Sequence, residues 1–411
     1  MGSEMVSGRS PGDLAFFGIL VGIVLQALPL SAQVSAALVG GSAGMLIVVE
    51  KPRLVLRSND GMALYLFGAA FLAASFVSIL GSASLSRSLD VSVSLLPQIL
   101  VFHAIASRFG HERAERLVWA LVGMGAAISC VFLFTALGNP AQSPTQWMKI
   151  AGLPYLSVPN DLLILALVAP FSAIWLLRHT VWPIKAAAGM TLLMALATLT
   201  IYESRSGVAL FVISCVLVVA MRAGASWRKT VSVLGISVCL LLLVDASSGF
   251  RLAEKFAHVQ TLSLRVPLWA AAWKMFLGAP SLGHGPGMFS PLYEGYLAGI
   301  RFPDWVLMSP AIHSPWAHSL YLELLAERGL AGFVSFMGFL IVAGRMLRSF
   351  YLQSRGDLLW IALTAAFTLI LLGGLSEFSL LRYWFVQFLL VSVAMVFALN
   401  NVGEAQDEEA T

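Results

Sequence analysis

The sequence predicts an all-α polytopic membrane protein with about twelve transmembrane helices, and three observations carry that reading. Apolar residues fill 59% of the 411 positions, enough for roughly twelve spans of about 20 residues each. Charged residues make up only 11%, under half the share of an ordinary soluble domain. Lys and Arg, finally, sort by the side of the membrane on which each segment falls. A chain this apolar could not cover a water-exposed surface, which excludes an ordinary soluble enzyme, a disordered chain and a nucleic-acid binder.

Apolar segments of membrane length run over 14–30, 33–49, 61–81, 90–107, 117–138, 161–177, 184–202, 207–221, 230–248, 329–344, 358–375 and 383–399. Their breaks fall at Gly, Pro or charged clusters. The first two are short and close, as in a tight hairpin. No small-residue cleavage signal follows the first run, which reads as a retained helix. Cys130, Cys215 and Cys239 all lie in apolar runs. Their placement fits neither a disulfide framework nor a metal site.

Placing the N-terminus in the cytoplasm and alternating puts fifteen of the 25 Lys and Arg residues in inside segments. The short outside loops hold only Arg87, Lys149, Arg205 and Arg382. This is a positive-inside bias, and it sets the orientation with both termini cytoplasmic. The expected organisation is spans one to nine in 1–248, a long outside segment over 249–328, spans ten to twelve in 329–399, and a disordered acidic tail over 400–411. The outside segment opens with an amphipathic stretch from Arg251 to Pro280, whose Trp, Leu and Phe spacing fits a helix lying on the membrane surface. No internal repeat supports an inverted-repeat transporter.

The inside loops are short, so any chemistry belongs on the outside face. No P-loop or kinase signature occurs, and a substrate there must arrive already activated. Arg205, in YESRSG, violates the charge bias. It reads as an anion contact at a helix N-terminus, or as an interfacial anchor paired with Glu203. Arg265, in SLRVPLW, reads as a planar fork aimed at phosphate oxygens, or as a headgroup contact. His318 precedes a helix carrying Glu323 and Glu327. It reads as a general base, or as a capping histidine. His284 and His313 compete with it. The three histidines match no zinc-ligand spacing, and no metal or other cofactor is expected. The glycines at 283, 285 and 287 form a tight loop, which lets backbone N–H groups approach an anion or simply turns the chain. Asp245 marks the outer end of span nine or acts as an intramembrane acid. No Asp-x-Asp pair is present to hold a divalent metal on a diphosphate, so arginines would have to neutralise one.

Four motifs now stand in order: SRSG after an apolar span, R-x-x-L-W from Arg265 to Trp269, G-x-G-x-G-x-F from Gly283 to Phe289, and H-S-x-x-L-E with E-x-G-x-x-G from His318 to Gly332. Together they resemble the O-antigen ligase and polymerase superfamily. The specific part of the resemblance covers about residues 200–335. Ser319 stands where the family often has Asn, and Glu203 where it often has a small polar residue. The resemblance implies a GT-C-like glycosyltransferase of the bacterial inner membrane, working at the periplasmic face without metal or ATP. The donor it implies is a polysaccharide on undecaprenyl diphosphate, and the acceptor is lipid A–core. Arg205 and Arg265 would hold the diphosphate and His318 would be the base, with Arg301, His313 and His284 as secondary contacts. A polymerase or a protein O-oligosaccharyltransferase is the near alternative. The single sizeable outside loop favours a ligase over a polymerase, which often has two. A transporter or flippase is the distant alternative.

Overall fold

The structure is a computed structural model describing residues 10–25, 32–50, 59–108, 110–153, 155–178, 181–222, short stretches between 232 and 252, 260–306, 314, 316–353 and 357–410. Helices account for its regular structure, and no strand occurs among the described residues. The longer helices are α1 (Pro11–Val24), α2 (Ala32–Glu50), α3 (Asn59–Ile79), α4 (Leu85–Val93), α5 (Leu96–Arg108), α6 (His111–Gly138), α7 (Pro144–Ala151), α8 (Leu163–Arg178), α9 (Trp182–Ile201) and α10 (Arg205–Arg222). They continue as α11 (Gln260–Gly278), α12 (Phe289–Leu297), α13 (Leu320–Gln353), α14 (Leu358–Gly374) and α15 (Tyr383–Ala410). A 3₁₀ turn over Pro159–Leu162 leads into α8. Helices are what such apolar runs must form in lipid, because only intrasegment hydrogen bonds satisfy the backbone there.

Among the described residues, eight helical stretches are long and apolar enough to cross a membrane: Asn59–Ile79, Leu85–Ser107, His111–Gly138, Pro159–Arg178, Trp182–Ile201, Arg205–Arg222, Leu320–Tyr351 and Tyr383–Asn400. They stand where eight of the expected spans were read. Shorter apolar helices, Pro11–Val24, Ala36–Glu50 and Leu358–Gly374, occupy the first, second and eleventh expected spans. Most of the ninth, 230–248, lies outside the described residues.

The helices are apolar nearly all round, so position in the bundle decides burial. α8 and α14 are enclosed and bury almost every side chain. α3 is peripheral and leaves Met62 and Leu66 open, as a lipid-facing surface would. Ion pairs gather at one end of the bundle. Arg113 grips Glu50 with both terminal nitrogens, at 3.0 and 2.7 Å. Arg178 pairs with Glu115, and Arg345 with Asp60. These are the arginines the charge bias assigns to the inside.

The opposite end carries the long segment. One face of α11 buries Leu268, Ala271, Ala272 and Met275 against Phe289, Tyr293, Ala317 and Ala326, a small core separate from the main one. The other face leaves Trp273 and Leu277 exposed. That two-sidedness suits a helix lying along an interface. The expected surface stretch before residue 260 falls almost wholly outside the described residues.

α13 is broken at Gly329, whose φ of 60° and ψ of −164° are non-helical. The glycine loop fills the break. His284 and Gly285 donate their backbone N–H groups to the carbonyls of Ala326 and Glu327, at 3.0 and 2.8 Å. Leu330 and Ala331 donate to the carbonyls of Pro280 and Ser281, at 2.8 and 3.1 Å. From the other side, Arg87 Nε and Ser88 Oγ hold the carbonyls of Gly287 and Pro286, at 2.7 and 2.8 Å. Gly283, Gly285 and Gly287 all have positive φ. The loop is therefore a clamp between α4 and α13.

A Cβ on Gly329 would lie 2.5 Å from backbone atoms of Ser281 and Leu282, at a φ that L side chains resist. Gly329→Ala is expected to lower stability by at least about 2 kcal/mol. A thermal unfolding series on the protein in detergent measures this. A midpoint equal to wild type would mean the clamp does not hold the break.

Candidate active site

The turn from α9 to α10 places Arg205. Glu203 sits at φ 57°, and the Ser204 N–H reaches back to the Leu199 carbonyl at 2.9 Å. This Schellman-type closure ends α9, although the left-handed position usually falls to glycine. α10 begins at once with Arg205, at a helix N-terminus where backbone N–H groups favour anions. Arg205 interacts electrostatically with Arg265, Glu377 and Glu203.

Glu377, between α14 and α15, is the hub of the site. It is fully buried, and its carboxylate is shared by four segments. Oε1 accepts a hydrogen bond from Ser206 Oγ at 2.8 Å and pairs with the Arg265 guanidinium. Oε2 accepts one from Asn160 Nδ2 at 3.0 Å and faces His318 Nδ1 at 3.6 Å. Burial alone would raise the Glu377 carboxyl. His318, Arg265 and Arg382 outweigh it and hold the group below the usual carboxylate range, so it is ionised.

His318 has a φ of 52°, the left-handed region, just before Ser319 caps α13 by accepting from the Leu322 N–H. Its ring packs 5.8 Å from that of Trp316. The other face of the cluster is Arg382, whose guanidinium lies 4.5 Å from the Trp316 ring centre. Arg382 Nη1 reaches the Asn160 carbonyl at 3.0 Å and Asp161 at 3.4 Å. Asp161 in turn accepts from the Ser157 and Val158 N–H groups, at 2.8 and 3.0 Å.

Two further buried acids hold the frame. Glu323 accepts from Ser379 Oγ and the Leu380 N–H, at 2.8 and 3.2 Å, tying the Glu377 loop to α13. Glu327 accepts from the Phe289 N–H at 3.0 Å and pairs with Arg328, whose Nε donates to Ser75 Oγ at 3.1 Å. The carboxyl group that the glycine loop meets is thus the chain's own Glu327.

Arg205, Arg265 and His318 therefore come together, from segments far apart in sequence. His284 stands elsewhere, with Nε2 3.0 Å from both the Met275 carbonyl and the Tyr296 hydroxyl. Arg301 is exposed. His313 lies outside the described residues. Asp245 accepts from the Leu252 N–H at 2.9 Å. Sequence reasoning missed Glu377, Asn160 and Arg382. A lone acid in GLSEFSLLRYW, between two apolar runs, was the available signal for the first.

Fold and site together define a multi-pass membrane protein with a buried, ionised cluster gathered at one end of its helices. Residues 189–337, from α9 into α13, match the family model described as O-antigen ligase. Through that stretch the chain is similar to the O-antigen ligase family, a family of glycosyl-transferring enzymes of O-antigen and lipopolysaccharide biosynthesis. No curated protein matches the chain.

Glu377→Ala would leave Arg265 without its carboxylate in a buried setting. Removing one partner of such a pair costs about 3–5 kcal/mol, and a thermal shift of that order is expected. Glu377→Gln keeps the shape and one accepting oxygen, and should lose less. Because the folded carboxyl titrates below its unfolded value, its stabilisation is full above the ordinary carboxylate range. It is lost as pH falls through the lowered value. Unfolding midpoints of wild type and Glu377→Gln should accordingly converge at acid pH, and parallel pH curves would contradict the charge assignment.

Proposed function

We propose that the chain is an inverting, metal-independent ligase. It would move O-antigen polysaccharide from undecaprenyl diphosphate to lipid A–core, at the periplasmic face of the bacterial inner membrane. The convergence of Arg205, Arg265 and His318 on the buried Glu377 carboxylate carries this reading. The twelve-span, GT-C-like layout with both termini cytoplasmic belongs to the same proposal. So does its division into spans one to nine in 1–248, the periplasmic segment 249–328, spans ten to twelve in 329–399 and the tail 400–411.

Arg205 and Arg265, gathered beside one carboxylate, present two guanidinium groups to a diphosphate. Glu377 keeps the two cations close, where they would otherwise repel. Arg205 adds the positive end of α10. Preorganised donors of this kind stabilise charge as it develops on a leaving group. Glu377 opposite Nδ1 favours the tautomer with the proton on that nitrogen, leaving Nε2 as the acceptor. The acceptor hydroxyl then gives its proton to His318 Nε2. Its oxygen bonds the anomeric carbon while the bond from that carbon to the phosphate oxygen breaks. The diphosphate leaves with the electron pair, and attack from the opposite side inverts the centre.

Transfer should be measured with purified protein, lipid-linked polysaccharide, lipid A–core, EDTA and no nucleotide. Product is expected from the wild type, with a loss of roughly 10²–10⁴-fold in His318→Ala and about 10²–10³-fold in Arg205→Ala. A folded Arg205→Ala protein with full transfer would remove the diphosphate assignment. Lengthening of the donor chain in place of transfer to lipid A–core would make the chain a polymerase. Solute movement without a new covalent bond would make it a transporter.

A further inference from the structure

Beside the Glu377 cluster lies a cavity of about 660 Å³, within the ordinary range of about 300–1,000 Å³ for small-molecule sites. Gln98, Asp90, Tyr155, Tyr383, Trp316 and Arg382 are in its wall. Several of these side chains are buried with polar atoms unused. Arg382 is 4% exposed, and its Nε and Nη2 have no hydrogen-bond partner among the described residues. Gln98 is 1% exposed, and its amide oxygen is likewise unpartnered, as is Trp316 Nε1. Buried donors and acceptors are normally satisfied, since each unmet one costs about 1–3 kcal/mol. A ligand with hydroxyl groups would satisfy donors and acceptors alike. The Tyr155 and Tyr383 rings stack at 4.6 Å and give the cavity an aromatic flank.

The charge balance separates this cavity from its neighbour. Arg382 is matched by Asp161, which also lines the wall, and Asp90 adds a second acid. No other cation lines it among the described residues. A diphosphate would be repelled here, whereas an uncharged polyol would not. The cavity also backs directly onto the cluster. The Trp316 indole lies between Arg382 and His318. Asn160 gives its carbonyl to Arg382 and its amide to Glu377.

We infer that this cavity is a saccharide subsite. It takes an uncharged sugar ring of the glycan donor or acceptor, with its hydroxyls on Arg382, Gln98 and Trp316. The inference rests on the glycosyl-transfer reading above. Its test has a binding arm that does not need turnover. Saturation-transfer NMR on the purified protein in detergent would use glucose and N-acetylglucosamine as probes, with inorganic pyrophosphate binding as the control. Gln98→Leu should cut the sugar signal about tenfold, the value of one good hydrogen bond, and leave pyrophosphate binding unchanged. In transfer assays the same variant should raise KM about tenfold for one substrate, with kcat within about twofold. A rise for the acceptor assigns the ring to the acceptor, and a rise for the donor assigns it to the donor. Equal sugar signals in wild type and variant would overturn the subsite, as would a parallel loss of pyrophosphate binding. A wild type that binds sugar through Gln98 but forms no product would uphold the subsite and sink the transfer reading. Should Gln98→Leu fail to fold, Gln98→Met keeps the chain length, removes the amide and is read the same way.

Discussion

An ionised carboxylate with no exposure to water is expensive to place anywhere, and Glu377 sits where the chain emerges from its most apolar segments. The cost of desolvating such a group is several kcal/mol, recovered only through close charges and well-made hydrogen bonds. Glu377 obtains these from α11, α10, the turn before α8 and the segment before α13, through Arg265, Ser206, Asn160 and His318. Each of those segments is thereby fixed relative to the α14–α15 connection. Without the carboxylate, Arg205 and Arg265 would repel one another, and His318 Nδ1 would lose the acid that faces it. The site's geometry follows from satisfying one charge.

The ends of the bundle use charge in opposite ways. At one end, Arg345–Asp60 and Arg178–Glu115 are well exposed. Pairs of that kind add little stability, and their arginines matter more for orientation. At the other end Glu323, Glu327, Arg328, Asp161 and Arg382 are all nearly inaccessible. Among their bonds are ones to the backbone and side chains of other segments, such as Phe289, Leu380, Ser75 and Asn160. Buried groups of this kind tolerate few alternative arrangements. They hold rigid what would otherwise be a set of loops above a helical bundle.

Most of the helical layout was legible because hydropathy needs only neighbours in sequence. Eight of the expected spans recur as long apolar helices, and three more as shorter ones. Arg205 stood out because it broke the charge bias, and His318 because it preceded a helix with two acids. Glu377 showed locally only as a lone acid between two apolar runs, with no sign of its partners. Its partner Arg265 is 112 residues away, and no periodicity links the two. The glycine loop was half legible. Spacing marked residues 283, 285 and 287 as a tight turn, but the groups it serves are the carbonyls freed by the break at Gly329. A helix pattern running through ERGLAG concealed that break.

His318 shows how the frame bears on chemistry. A left-handed backbone conformation costs a non-glycine residue about 1–2 kcal/mol, and His318 adopts it one residue before the cap of α13. The strain persists only if neighbours over-determine it. Trp316 on one side and Glu377 on the other do so, while α13 itself is anchored through Glu323 to the loop that carries Glu377. The imidazole is thus held by the backbone that follows it, the ring that precedes it and the carboxylate opposite. In the proposed role of base, an imidazole fixed in this way would lose little freedom when an acceptor arrives. Orientation is then supplied by folding rather than by binding, which is where preorganisation lowers a barrier.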